Sequence, residues 1–339
     1  MKIHRFILWF ALWAGLLLLA SFIIPVILVN EKEEDSNMVI TRDELKNGVI
    51  EDENPIYVPI YMTNEKKIEV IPLETYVRGV IAAEMPIDFE LEALKAQAIA
   101  ARTYIFRRMV DQDFSNVPVE GAYVTDTVSH QVYLSEDKLK QRWTGDLYEK
   151  NMEKINRAVY ETRGLVATYE DHPINSTFFS TSNGYTENSE DYWNVELPYL
   201  RSVQSPWDAE ISPKFKNTLV FSSKEFFNKL KINPTQPAST GQSLFQILEW
   251  SEGHRIKKIA IGDVILTGRE VRERLGLSSS QFEMIMVENQ VQITSYGYGH
   301  GVGMSQWGAN GMAKEGSTAE EILLHYYQGI EVVRVNPTL

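Results

Sequence analysis

The chain has 339 residues, 33 basic against 46 acidic, giving a formal charge of −13, and 44% of it is apolar. This is the composition of a folded protein with apolar mass for one large domain or two smaller ones, and its acidic balance argues against a nucleic-acid groove or a polybasic grip on anionic lipid. It contains no cysteine, which excludes disulfides, iron–sulfur clusters, thiolate zinc sites and cysteine nucleophiles.

Residues 1–5 form a short tail carrying Lys2 and Arg5. The run 6–29, Phe6 to Val29, is 24 uncharged, mostly apolar residues; at about 1.5 Å per residue it reaches about 36 Å, enough to cross a hydrocarbon core of about 30 Å. A cleaved signal peptide is the rival reading, but its apolar region is about 7–15 residues long, so an uncleaved anchor is expected. Basic residues before the run and Glu31, Glu33, Glu34 and Asp35 after it place the N-terminus in the cytoplasm and the rest outside. Residues 30–53 are polar and acidic and read as a tether.

Alternation at Ile56, Val58 and Ile60, then at Ile68 and Val70, predicts strands. Pro72 opens a helix with Leu73, Tyr76, Val77, Val80 and Ile81 on one face, ending at Glu84-Met85-Pro86 because proline disfavours helical geometry in the residue before it. A longer helix is predicted from Leu91 to Met109. Two strands, Leu165–Tyr169 and Ile174–Phe179, should meet at a turn through Asp171-His172-Pro173, and Glu187 to Asp191 reads as a solvated acidic loop. Capping boxes at Ser222…Glu225 and Thr267…Glu270, with strands at Lys258–Ile261, Phe282–Val287 and Val291–Thr294, mark a region of different texture. A glycine-dense loop, Gly297 to Gly308, precedes a helix capped by Ser317 with Glu320 at its third position, closing at Gly329. The expected class is α+β, two-lobed with a substrate cleft: core 54–204 and 296–339, inserted second lobe 205–295.

Glu84 is the first candidate for chemistry. At the C-terminal end of its helix it meets unpaired carbonyls and the negative pole of the dipole, and Ala82, Ala83 and Met85 desolvate it. Both effects raise a carboxyl pKa, as a general acid near neutral pH requires; an idle carboxylate at a frayed helix end is the plain alternative. Lys95 and Arg102, seven apart on one helical face, can line a cleft, or Lys95 can simply pair with Glu92. In Gly299-His300-Gly301-Val302-Gly303-Met304-Ser305-Gln306-Trp307-Gly308 the glycines permit close backbone approach, and His300, Gln306 and Trp307 can bond and stack a sugar. The segment lacks the ending of a phosphate loop, and no zincin or α/β-hydrolase motif occurs. Thr127 to Tyr133 and Phe178 to Gly184 are cleft walls or ordinary loops.

Together, Glu84-Met85-Pro86, Lys95 through Tyr104, Ser180-Thr181-Ser182-Asn183-Gly184 and the Gly299–Gly308 segment resemble the stage II sporulation protein D and amidase-enhancer family, in order, over about Ile68 to Ile330. The resemblance implies a lytic transglycosylase that degrades septal peptidoglycan during engulfment, acting from the mother-cell membrane on glycan stripped of stem peptides by an amidase, stage II sporulation protein P, with stage II sporulation protein M as membrane scaffold. It puts the catalytic glutamate at Glu84 and assigns Lys95, Arg102, Tyr104, Ser182, His300 and Gln306 to the substrate cleft; Tyr133 and Trp307 complete the expected binding set. Some relatives hold zinc through cysteines and a histidine near His130. This chain lacks the cysteines, so no metal or other cofactor is expected and His130 is left as a cleft or packing residue. Two alternatives stand beside this reading: a non-catalytic glycan-binding activator of an amidase, and a muramidase pairing Glu84 with a second acid.

Overall fold

The computed structural model describes residues 55–233 and 244–335. The tail 1–5, the expected membrane segment 6–29 and the tether 30–53 lie outside the described residues; among those described, no helix is long and apolar enough to cross a membrane.

In β1 (Tyr57–Met62), Val58, Ile60 and Met62 are buried and the residues between them are more exposed, the period-2 pattern of a strand with one wet face. β2 (Lys67–Pro72) lies antiparallel to it, from Tyr57↔Pro72 to Met62↔Lys67. Helix α1 (Leu73–Glu84) follows directly and buries Leu73, Tyr76, Val77, Val80 and Ile81. It stops where expected: Met85, extended at φ −108 and ψ 138, precedes Pro86. Helix α2 (Leu91–Val110) runs one residue past the predicted end. Its Ala93, Ala96, Ala98, Ala100 and Ala101 are fully buried, and these short side chains let neighbours approach on several sides at once.

β3 (Val124–Thr125) lies parallel to β1. Helices α3 (Glu136–Arg142) and α4 (Asp146–Glu161) were not anticipated, because α4 carries only a sparse apolar stripe, Met152, Ile155 and Val159, among charged residues. β4 (Leu165–Tyr169) is the predicted strand, but it pairs with β5 (His172–Pro173), two residues expected in the turn; the chain instead turns through Glu170 and Asp171 at φ 50 and 61, the left-handed pair of a tight hairpin turn. The expected strand Ile174–Phe179 exists only in part. After Pro173 the chain leaves the sheet, held by Ser176 Oγ donating to the Ala100 carbonyl at 2.7 Å and by the Asn175 amide donating to the Tyr199 hydroxyl at 3.0 Å. β6 (Phe178–Phe179) then pairs in parallel with Met304–Ser305.

Short helices α5 (Ser189–Trp193) and α6 (Asp208–Ile211) follow. The acidic stretch beside α5 is not a solvated loop: Glu187 is buried and Asp191 pairs with Lys257 at 2.7 Å. Next come β7 (Lys216–Ser222), α7 (Ser223–Leu230), β8 (Phe245–Trp250), β9 (Ile256–Ile261), β10 (Val264–Thr267), α8 (Gly268–Leu275), β11 (Phe282–Val287) and β12 (Gln290–Tyr296). They make two antiparallel three-stranded sheets, centred on β9 and β12. The Thr267–Glu270 capping box is reciprocal, whereas Ser222 only accepts from the Glu225 amide. β13 (Met304–Ser305) and α9 (Gln306–Lys314) replace the end of the predicted glycine loop, with Ser305 as N-cap. Helix α10 (Ala319–Tyr326) is capped by Thr318 and Glu321, one residue later than expected. β14 (Glu331–Arg334) closes on the free side of β4, antiparallel.

All described residues belong to one unit, and its buried apolar side chains form two clusters. The larger gathers β1, α1, α2, α4, α9 and α10; the smaller lies within 221–293, around Phe226, Ile261, Val271, Phe282 and Ile293. In the larger, the extended stretch 131–134 lies across α1 at Gly79, where a Cβ would fall 2.3 Å from the Tyr133 ring and 2.6 Å from the Leu134 carbonyl. Gly79→Ala is therefore expected to destabilise the protein by about 1–3 kcal/mol, the usual range for overpacking, read as a lowered urea midpoint at unchanged slope.

Candidate active site

Glu84 is the last residue of α1, and its carboxyl is half-buried. Its Oε1 accepts a hydrogen bond from the Val132 amide at 2.8 Å. Burial pushes its pKa above the ordinary carboxylate value, and the Val132 amide pulls the other way. Among the described residues Glu84 has no ion-pair partner, and no carboxylate adds to those two influences. The elements that make this site are α1, which ends at a residue fixed by Pro86, and the stretch 131–134. The Tyr133 ring stacks on Tyr76 at 5.7 Å, and the Tyr76 hydroxyl donates to Gln131 Oε1 at 3.0 Å.

From α2, Tyr104 faces the same region, half-buried, with the Arg108 guanidinium 5.9 Å from its ring centre. Burial raises its phenol pKa, opposed by Arg108. Arg108 in turn fixes the loop after α2, donating to the Tyr123 carbonyl, to Asp113 and to the Ser115 carbonyl, each at 2.8 Å. In that loop Phe114 stacks on Tyr123 at 4.6 Å and stays largely exposed, an open aromatic face beside the Tyr104–Arg108 pair.

Other expected cleft residues are placed elsewhere. Arg102 has no exposed surface: it makes a two-pronged contact with Glu74, Nε to Oε1 at 2.9 Å and Nη2 to Oε2 at 2.5 Å, and donates to the Leu165 carbonyl at 3.1 Å. Lys95 is held between Glu92, at 2.7 Å, and Glu161, so its charge is already paired in a partly exposed cluster. Tyr133 is buried, and burial pushes its phenol up to about 12. Ser182 is fully buried, its one hydroxyl proton shared between Asp208 and the Ser205 carbonyl, each 2.9 Å from Oγ. Arg102 and Ser182 are enclosed and paired within the protein, the Tyr133 ring is buried, and Lys95 is paired with two partly exposed glutamates.

His300 receives the Val302 amide on Nδ1 at 3.1 Å, so its proton sits on Nε2, which donates to the Phe178 carbonyl at 3.1 Å. Phe179, Tyr192 and Trp193 surround the ring at 5.5–5.7 Å, and burial, helped by the Arg272 charge, pushes its pKa down to about 3. It is a neutral, packed imidazole. Gln306 is buried, donating to Gln97 at 3.5 Å. Trp307, half-buried, stands edge-on to Phe89 at 4.7 Å, and Asn310 accepts the Glu90 amide at 2.8 Å. The glycine-rich segment thus reaches the Glu84 side of the protein through the first turn of α9 packed on the α1–α2 connection.

His130 uses both nitrogens, Nδ1 accepting the Thr125 amide at 3.2 Å and Nε2 donating to the Ser115 carbonyl at 3.3 Å. With no cysteine in the chain, the residues present do not fit the cysteine–histidine zinc site of some relatives; among the described residues no group of three acidic or histidine side chains could hold a metal.

The sequence reading places Tyr76 only in the apolar stripe of its helix, and Gln131 and Val132 only within a stretch, 127–133, that is a cleft wall or an ordinary loop. Tyr76 stands eight residues before Glu84 on the same helical face, but its place in the apolar stripe made it indistinguishable from core. A backbone amide has no side-chain signature at all. For Arg102, the geometry predicts that Arg102→Ala costs about 3–5 kcal/mol by stranding the buried Glu74 carboxylate, measured by denaturant unfolding. A cleft role would instead weaken glycan binding without a comparable loss of stability.

A family model described as stage II sporulation protein matches residues 61–169, the stretch holding Glu84, Tyr104 and Val132. The stage II sporulation protein D of Bacillus amyloliquefaciens is 47% identical over 280 residues, 83% of this chain and 79% of its own length. That of Bacillus subtilis (strain 168) is 44% identical over 300 residues, 88% and 85% of the two chains. The amidase enhancer of Bacillus subtilis (strain 168) is 28% identical over 306 residues, covering 74% of this chain and 39% of its own.

Proposed function

Because the chain belongs to the stage II sporulation protein D family, we propose that it is a lytic transglycosylase of the sporulation septum, anchored through residues 6–29 with its working part outside the membrane. Its substrate is peptidoglycan glycan from which the stem peptides have been removed, and its products carry 1,6-anhydro ends. The observation that carries this reading is the Glu84 carboxyl, raised in pKa by burial and gripped by one amide without a second carboxylate pressing on it.

In the mechanism, protonated Glu84 gives its proton to the oxygen linking N-acetylmuramic acid to N-acetylglucosamine. That carbon–oxygen bond breaks with the electron pair going to the leaving sugar. The muramyl 6-hydroxyl closes on the electron-poor anomeric carbon, and ionised Glu84 takes the hydroxyl proton. One carboxyl serves twice and the nucleophile comes from the substrate, so the paired carboxylates of ordinary glycoside hydrolases are not required. The half-buried Tyr104 and the exposed Phe114 face suit the walls of a sugar cleft. The sporulation amidase, stage II sporulation protein P, would supply the peptide-free glycan, and stage II sporulation protein M would hold the assembly at the membrane. The similarity to an amidase enhancer supports a second reading, in which the chain binds glycan without cutting it and activates the amidase.

Glu84→Gln is expected to lower cleavage by about 10²–10⁴-fold, the span of general acid catalysis, with mass spectrometry of peptide-free glycan following loss of anhydro-ended products. Hydrolytic reducing ends from the parent protein would favour a muramidase, and stimulated amidase turnover without any cleavage the second reading. The same variant should gain stability at neutral pH, on the order of 0.3–1 kcal/mol, by removing a charge that burial disfavours, here at the helix's negative pole. The sign follows from linkage: a carboxyl whose folded pKa lies above its unfolded one penalises the folded state as pH rises through the two values and not below them. The gain should therefore vanish in acid, as thermal unfolding across pH would show.

A further inference from the structure

The bond between Val132 and Glu84 joins a helix to an irregular stretch, and such a stretch needs its own restraint to deliver an amide within 2.8 Å of a carboxyl. The restraint sits one residue away. Gln131 is 2% exposed, and its carbonyl oxygen takes the proton of the Tyr76 hydroxyl, itself fully buried, at 3.0 Å. Tyr133, on the other side, is pressed onto Tyr76 and Gly79, and the Leu134 amide donates to the Gly79 carbonyl at 3.4 Å. The Gln131 amide nitrogen has no protein partner, so the Tyr76 hydroxyl is the one polar group of the described residues fixing that side chain.

We infer that Tyr76 and Gln131 form a clamp that sets the Val132 amide on Glu84, making both of them positioning residues for the proton donor; this deepens the transglycosylase reading and rests on it. Tyr76 and Glu84 are eight residues apart on α1, the same helical face two turns on, so one helix carries both the anchor and the group it steadies. With Oε1 fixed by Val132, the carboxyl has a defined orientation and the remaining oxygen is the one that meets substrate. The charged and titratable groups facing the clamp are Tyr104 and Arg108 from α2 and Tyr133 from the extended stretch, with Glu84 at the end of α1. Neither aromatic neighbour is ionised near neutral pH, since burial raises both phenols.

The test is Tyr76→Phe in the full-length, detergent-solubilised protein, with two readouts. One is the pH profile of glycan cleavage; the other is the side-chain carboxyl carbon resonance of Glu84, assigned by its absence in Glu84→Gln and titrated without substrate. Loosening the Val132 bond removes a stabiliser of the ionised form, so the Glu84 titration and the alkaline limb of the profile should both move to higher pH, by about one unit, with turnover falling about tenfold. Gln131→Met, which deletes the acceptor and keeps the bulk, should reproduce both shifts and stands in if Tyr76→Phe does not fold. A titration of Glu84 left in place in a folded variant overturns the clamp. That outcome is separable from failure of the parent reading, in which the parent protein, or Glu84→Gln, cleaves or fails to cleave contrary to expectation while the resonance still moves.

Discussion

An amide donated from an irregular stretch to a carboxyl at the C-terminal end of a helix is the contact on which the candidate site depends. Left alone, a carboxylate at that end of α1 faces the unpaired carbonyls of its own last turn and would swing toward water. The Val132 amide holds it in place without supplying a full counter-charge, and burial keeps its proton affinity high. Steadying by a neutral donor is what suits a group that has to be an acid in one half of a reaction and a base in the other, since an arginine or lysine partner would hold it ionised throughout.

The local rules were legible where a single residue decides geometry. Pro86 ends α1, and the alternation at Val58 and Ile60 marks β1. They failed where long-range partners decide. The strand after Pro173 gives way to bonds with α2 and with Tyr199, and α4 folds on a stripe too thin to stand out from its charges. At the site, the resemblance marked residues that the fold needs alongside those a ligand could meet. Glu84 and Tyr104 both act on the buried Tyr76 hydroxyl, whereas Arg102 and Ser182 are tied to buried carboxylates. Charge, spacing and helical face could not separate these cases, because a buried arginine and a cleft arginine look alike until the partner, here Glu74, is placed in space.

The region 205–295 is joined firmly to the glycine-rich segment. The Arg255 guanidinium occupies the space beside Gly301 where a Cβ would lie 2.3 Å from its Cζ, and it donates to the Tyr185 carbonyl at 3.2 Å. Ser251 donates to the buried Glu187 at 2.6 Å, and Glu187 takes up the segment through its amide on the Gly301 carbonyl at 2.8 Å. Asp208 gathers Ser182, Ser205 and Ser305 around one buried carboxylate. Glycines at 301 and 303 thus serve close packing against protein: a Cβ at 301 would meet the Arg255 guanidinium and one at 303 the Thr177 carbonyl.

Helix α2 is covered on one side by α9 and α10, and β4 finds its outer neighbour in β14, all drawn from the last part of the chain. A polypeptide made from its N-terminus therefore carries the side of α2 that meets α9 and α10 uncovered until residues beyond 300 have been made. Such high contact order slows assembly and leaves half-made chains sticky. It also means that the packing of α2 and the outer edge of β4 is completed only by the last part of the chain, so a molecule shortened at its C-terminal end leaves both without those partners.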